Sequence, residues 1–269
     1  MDALFWYFCC CRVKEEYTLI EVNNLSFKYG SSNIIEDMSF SINEPGLTCI
    51  IGPNGVGKTT LIRSIGKLLD YQKGAVFIEN KRVSEYSFRD LARKLSYVSN
   101  DMKEVFALDV MDYVTLSIDV RYGIFTRNDS RTVAQGYLNK MGLNNIIYKK
   151  TNELSTGQYK QIAIIRGLVQ NTKIMIFDEP TANLDVKHQH EVMRLLKRIS
   201  KDEEKSILMV CHDVNLASRF ADKILMMFSP VKYKMGTTLE LINEENISKL
   251  FDVKCKIVDV DGLPYVIFP

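Results

Sequence analysis

The sequence predicts an α/β fold with a mostly parallel sheet, an N-terminal antiparallel β segment and an inserted helical segment. Three observations carry this reading. The apolar runs "GLTCIIG", "KIMIFDE", "SILMVCH" and "KILMMF" have the continuous hydrophobicity of strands buried on both faces. Helical patterns, with apolar residues three and four positions apart, separate most of them, and such alternation builds parallel sheets. A glycine-rich stretch, "GPNGVGKTT", joins the first run to the helix after it.

The elements follow in order. "TLIEVNNLSFKYG" and "DMSFSI" read as early β segments, with turn chemistry at Gly30–Asn33. After "GLTCIIG", the residues Leu61, Ile62, Ile65, Leu68 and Leu69 are expected to share one helix face. "GAVFIENKRV" has the pattern of a hairpin. From about Val105 to Lys150 the pattern is mainly helical, and we bound this inserted subdomain at about 101–165. "KIMIFDE" is followed by a helix carrying Val192, Leu195, Leu196 and Ile199, then "SILMVCH", a helix near Asn215–Phe220, and "KILMMF". A tail from about 230 to 269 combines a helical "ISKLFDV" with strands "KCKIVDV" and "PYVIF". Residues 1–19 read as an extension and 20–269 as one domain.

Composition narrows the classes. With 269 residues, 46% hydrophobic and 25% charged, the chain can bury a sizeable core. A net charge of +2 is too small to argue for a nucleic-acid partner. Cys49 and Cys211 sit inside apolar runs, where a reduced core thiol is expected, and the absence of C-x-x-C pairs gives no support to zinc or a redox motif. The run Leu4–Cys11, with Cys9, Cys10 and Cys11, is far shorter than the roughly 20 residues that span a bilayer.

"GPNGVGKTT" fits G-x-x-x-x-G-K-[ST] in the strand-to-helix setting that this motif requires. Gly52, Gly55 and Gly57 let the backbone wrap a phosphate, with Pro53, Asn54 and Val56 completing the loop. Lys58 is expected to reach the β/γ-phosphates, Thr59 to coordinate Mg²⁺, and Thr60 to bind the nucleotide as the last residue of the loop. In "IMIFDEP" the apolar run brings Asp178 and Glu179 to a strand's carboxyl end, where open α/β sheets bind ligands. Asp178 suits the Mg²⁺ shell, and Glu179 suits polarising the water that attacks the γ-phosphate. The fold so predicted is a P-loop NTPase core.

The order "GPNGVGKTT", "LSTGQ", "IMIFDEPTANLD" and "VCHD" resembles the nucleotide-binding subunit of an ABC transporter, over nearly the whole chain from about Ile20. The resemblance implies that ATP is the substrate, Mg²⁺ the cofactor and a second copy of the chain the partner. Two copies would close head to tail, each burying ATP between one copy's Gly52–Thr60 and the other's signature loop of Ser155, Thr156, Gly157 and Gln158. It further implies that Tyr29 stacks on adenine, that Asp185 crosses the interface, and that His212 contacts the γ-phosphate. The remaining histidines, His188 and His190, are expected on a solvated helix face.

Two positions depart from the family pattern. Thr156 stands where a glycine is usual, which suits the fold if its φ stays negative. Asn100 in "LSYVSN" replaces the usual metal-ligating Gln; being a methylene shorter, it is expected to act through a bridging water or a shifted loop. The tail resembles those of importer ATPases for iron–siderophore, haem or cobalamin. The implied partners are therefore transmembrane permease subunits and, indirectly, a substrate-binding protein, with the chain cytoplasmic and peripheral on the membrane's inner face. The alternative is an ABC-type ATPase uncoupled from transport, or a slow nucleotide-dependent regulatory module. Tandem phosphate loops or long heptad arms would mark soluble ABC ATPases of translation or chromosome mechanics, and neither occurs.

Overall fold

The computed structural model describes residues 18–99, 107–122 and 127–269; the run Leu4–Cys11 and Asn100 lie outside them. β1 (Ile20–Tyr29) pairs antiparallel with β2 (Ser32–Ile42) through a turn at Gly30. β3 (Gly46–Ile51) leads through the glycine loop into α1 (Lys58–Ile65). β4 (Lys73–Ile78) and β5 (Lys81–Arg82) form the expected hairpin, turning on Glu79 and Asn80, both at positive φ as a tight hairpin turn demands. α2 (Phe88–Ala92) precedes β6 (Leu95–Val98).

The helical insertion contributes α3 (Val110–Tyr122), α4 (Arg127–Lys140) and α5 (Thr156–Val169). The chain then alternates β7 (Ile174–Phe177), α6 (Val186–Asp202), β8 (Ser206–Val210), α7 (Val214–Phe220) and β9 (Lys223–Ser229). It ends with β10 (Lys232–Thr237), α8 (Thr238–Leu241), α9 (Glu244–Phe251) and the hairpin β11 (Lys256–Val260) and β12 (Leu263–Ile267).

The central sheet has the order β10-β9-β3-β8-β7-β6, parallel throughout except for β10 at its edge. An antiparallel sheet, β2-β1-β4-β5, lies beside it. Side chains alternate across the central sheet. Ile50, Ile174, Ile176, Leu208 and Val210 face the layer shared with the antiparallel sheet and α1. Cys49, Ile51, Met175, Phe177 and Met209 face the layer of α5, α6 and α7. Both faces are buried, so the central strands read as unbroken apolar runs. Val110 and Val114 of α3, Leu138 of α4 and Ile162 of α5 extend the second layer into the helical insertion.

Two sequence expectations need correction. Leu61 to Leu69 do not form a single helix face. α1 ends at Ile65; Gly66 lies against the Tyr97 ring, where a Cβ would come within 3.1 Å, and Lys67 takes φ +58°. The chain thus leaves the helix, and Leu68 stays exposed. The tail also contains β10, whose lysine-rich sequence lacks the apolar run of a central strand because it has a sheet partner on one side only.

Local chemistry fixes the helix that follows β8. The Asp213 carboxylate caps α7, accepting from the backbone N–H groups of Asn215 (2.8 Å) and Leu216 (3.0 Å). Asp213→Ala is expected to cost about 1 kcal/mol, a fall of about 2–4 °C in Tm by thermal circular dichroism. Among the described residues, no helix is long and apolar enough to cross a membrane.

Candidate functional site

The carboxyl ends of β3, β7 and β8 converge, and each delivers one part of the site. After β3, Gly52 takes φ +156°, and a Cβ there would lie 2.4 Å from the Met227 carbonyl oxygen. A side chain has no room, so the loop begins with glycine for a steric reason. Gly57 enters α1 at φ +108° and supplies no side-chain cap, which leaves first-turn N–H groups of α1 for an anion. Lys58 is buried and folds over the loop, donating to the carbonyls of Gly52 (2.8 Å) and Pro53 (2.9 Å). An ammonium has three donors, so one remains for a phosphate oxygen. Burial lowers the Lys58 pKa, against the opposing pull of Glu179 and Asp178.

The loop lines an open cleft of about 500 Å³ together with Tyr29, Glu179 and His212. Tyr29 is 54% exposed and edge-packed on Phe27, which places an aromatic surface in the cleft wall. Asn54 and Thr60 also line the cleft, whereas the Val56 side chain turns into the core and leaves its backbone as the part able to meet a ligand.

Asp178 follows β7 and is buried at 4% exposure. Its Oδ1 accepts from the Thr59 hydroxyl at 3.0 Å. Burial raises its pKa; the Thr59 hydrogen bond opposes that rise, Glu179 adds to it, and Arg63 and Tyr97 oppose it. Thr59 and Asp178 thus present a hydroxyl and a carboxylate side by side. This hard oxygen pair fits Mg²⁺, which typically takes one or two protein oxygens and completes its shell from phosphates and water. Glu179 takes φ +52°, a backbone state costing of order 1–3 kcal/mol for a residue with a side chain. Its Oε1 lies 2.5 Å from His212 Nε2, so the residues after β7 and β8 meet in one cleft.

The signature loop faces away from the phosphate loop, although Thr156 lines a cleft of about 260 Å³ with Asp178 and Glu179. Ser155 and Thr156 are exposed, and Ser155 caps α5 reciprocally with Gln158: Gln158 N–H donates to Ser155 Oγ and Ser155 N–H to Gln158 Oε1, each at 3.2 Å. Thr156 is the first residue of α5 and is not among the positive-φ residues, which meets the condition set by its sequence. Ser155, Gly157 and Gln158 line a second cleft of about 490 Å³ with Asn183, Asp185 and His188. Among the described residues, this cleft shares no lining residue with the phosphate-loop cleft. Asp185 caps α6 through His188 N–H (2.9 Å), and that hydrogen bond leads the lowering of its pKa. The two neighbouring histidines are not simply solvated: His188 Nδ1 lies 2.7 Å from Asp185 Oδ1, and His190 packs edge-on against Phe220, both half-buried. The α6 cap and the packing of α6 on α7 draw them in.

Residues 35–182 match the family description "ABC transporter". An uncharacterised ABC transporter ATP-binding protein of Methanocaldococcus jannaschii is 33% identical over 93% of this chain and 97% of its own length. The chain belongs to this family. A second relative in the ABC transporter family, the iron(3+)-hydroxamate import ATP-binding protein FhuC of Bacillus subtilis, is 30% identical over 89% of this chain and 90% of its own. A bacterial ABC transporter cassette solved as a dimer superposes with a TM-score of 0.73 at 27% identity, covering 81% of this chain and 98% of that one. The chain is accordingly an ABC-type ATPase with the P-loop fold.

In this ABC ATPase the sequence reading missed three polar side chains. The Tyr97 hydroxyl donates to Asp178 Oδ2 at 3.3 Å, and the Arg63 guanidinium reaches the same oxygen at 3.9 Å. Burial raises the Tyr97 pKa, with the Asp178 charge adding to it, so the phenol is a neutral donor. Lys160 of α5 donates to the Ala182 carbonyl at 2.5 Å, tying the signature helix to the turn after Glu179. Arg63 was findable, because it lies four residues after Thr59 and so shares its helix face. Tyr97 and Lys160 act across long sequence separations and leave no local pattern.

Proposed function

We propose that two copies of this chain bind two ATP molecules head to tail and hydrolyse them to power a membrane transporter. One observation carries the proposal. The signature loop is exposed in a cleft holding none of the chain's own phosphate-loop residues, so a γ-phosphate on Lys58 would reach it on a second copy. Lys58 and the N–H groups of α1 hold the β- and γ-phosphates, and Tyr29 stacks on the base. Thr59 and Asp178 hold Mg²⁺, which offsets phosphate charge when bound. Glu179 takes a proton from the attacking water, and His212, held against Glu179, keeps that carboxylate aimed and contacts the γ-phosphate. Ser155 Oγ and the Gly157 N–H close on the γ-phosphate of the other copy, so ATP forms part of the interface and hydrolysis loosens it.

An exposed apolar groove supports the reading of a transporter partner. Leu68, Phe88 and Leu116, at 52%, 69% and 47% exposure, edge an open groove of about 390 Å³ between α2, α3 and α5. It suits a permease helix that would place the chain on the inner face of the membrane. The FhuC resemblance supports import of an iron(3+)-hydroxamate or a related metal chelate. The test is light scattering on the purified chain with and without Mg·ATP, paired with phosphate release. ATP should double the mass, and hydrolysis should rise more than linearly with protein concentration. A chain that neither pairs nor hydrolyses refutes the proposal.

A further inference from the structure

We propose that Tyr97 and Arg63 are positioning residues for the metal, fixing the Asp178 carboxylate by one oxygen so that the other stays beside Thr59; this rests on the reading of Asp178 as a Mg²⁺ residue. The division of partners carries the inference. Oδ1 receives the Thr59 hydroxyl at 3.0 Å, while Oδ2 receives the Tyr97 hydroxyl at 3.3 Å and lies 3.9 Å from Arg63. A carboxylate turns about a broad, soft torsion, so a metal-facing oxygen keeps its aim when the opposite oxygen is held. The two holding groups come from different elements: Arg63 rides on α1, and Tyr97 stands on β6, the strand beside β7. The clamp therefore ties the metal-facing carboxylate to both the phosphate-loop helix and the neighbouring strand.

Packing supports the clamp from the side of α1. The Tyr97 ring abuts Gly66, whose missing Cβ would sit 3.1 Å from Cδ2. The ring is thereby backed on one side by the end of α1, while another part of it lines the open groove beside α2, α3 and α5. Arg63 is 31% exposed in its side chain, so its contribution is moderated by water, whereas Asp178 at 4% is shielded.

The test uses Mn²⁺ as a spectroscopic stand-in for Mg²⁺, titrated by electron paramagnetic resonance into the full chain with ATP, alongside fluorescent-ATP binding in EDTA. Tyr97→Phe keeps the ring and removes the hydroxyl; Arg63→Gln removes the charge. Each should weaken Mn²⁺ binding about 10-fold while leaving metal-free ATP binding unchanged. The double variant should lose less than the product of the two, because both groups hold one oxygen. Asp178→Asn separates the metal assignment from the clamp. If it leaves Mn²⁺ affinity unchanged, the metal assignment itself fails. If it weakens Mn²⁺ binding but Tyr97→Phe and Arg63→Gln do not, Asp178 holds the metal and the clamp is refuted. A parallel loss of metal-free and metal-bound ATP affinity would show a structural role and also refute it.

Discussion

Glu179→Gln is expected to lower kcat by about 10²–10⁴-fold, the usual contribution of a positioned general base, while ATP still binds. The amide has the shape of the carboxylate, so the cleft and its phosphate contacts persist, but it has no basicity to take a proton from water. His212 Nε2 lies 2.5 Å from Glu179 Oε1, and the Gln oxygen can still accept from that imidazole when Nε2 carries the proton. The geometry is thus conserved while the chemistry is removed. A paired state held together by ATP should then outlive hydrolysis: gel filtration with Mg·ATP should give a persistent dimer where the wild type gives a transient one. His212→Ala supplies the comparison, since it keeps the base and removes the residue that aims it. A Glu179→Gln enzyme within fivefold of the wild-type rate would move the base elsewhere.

The parts of this site that were legible in the sequence are those written in contiguous residues. "GPNGVGKTT" encodes its own geometry, because Gly52 and Gly57 hold backbone states that crowd out side chains and Lys58 reaches back only five and six residues. The central strands were legible because burial on both faces leaves an unbroken apolar run, as in "IMIF". What failed to show were contacts between distant segments. Tyr97 meets Asp178 across 81 positions, and a tyrosine on an apolar strand reads as packing. β10 was hidden for a related reason: an edge strand needs one sheet neighbour and little apolar content, so "KYKMGT" resembles a loop. The early end of α1 was hidden too, since Leu68 keeps the helical spacing after Lys67 has turned the chain to φ +58°.

Gly157→Asp is expected to leave the folded chain intact and to abolish pairing and turnover together. Nothing among the described residues requires a glycine there. The φ is ordinary for any residue, and an added Cβ would meet the Leu184 side chain at 3.6 Å and Ser155 Oγ at 4.0 Å, both normal contacts. An aspartate in the first turn of α5 is also compatible with the helix dipole. Tm should therefore move by less than about 0.5 kcal/mol's worth of stability, and fluorescent-ATP binding to the separate chain should match wild type. Across the proposed interface the outcome reverses, because the new carboxylate faces the γ-phosphate held by the other copy. Hydrolysis should fall by at least about 10²–10³-fold, the loss seen when a donor to developing charge is taken away, because the carboxylate repels the phosphate and holds the Ser155 and Gly157 donors off it. Mixing decides between one chain and two. A Gly157→Asp chain has a sound phosphate loop, and a Lys58→Ala chain has a sound signature loop, so their heterodimer contains one complete site. Hydrolysis absent from either sample alone should appear in the mixture. If the mixture stays inactive although the chains pair, Gly157 acts within its own chain, and the separate clefts of the phosphate and signature loops do not form one site between two copies.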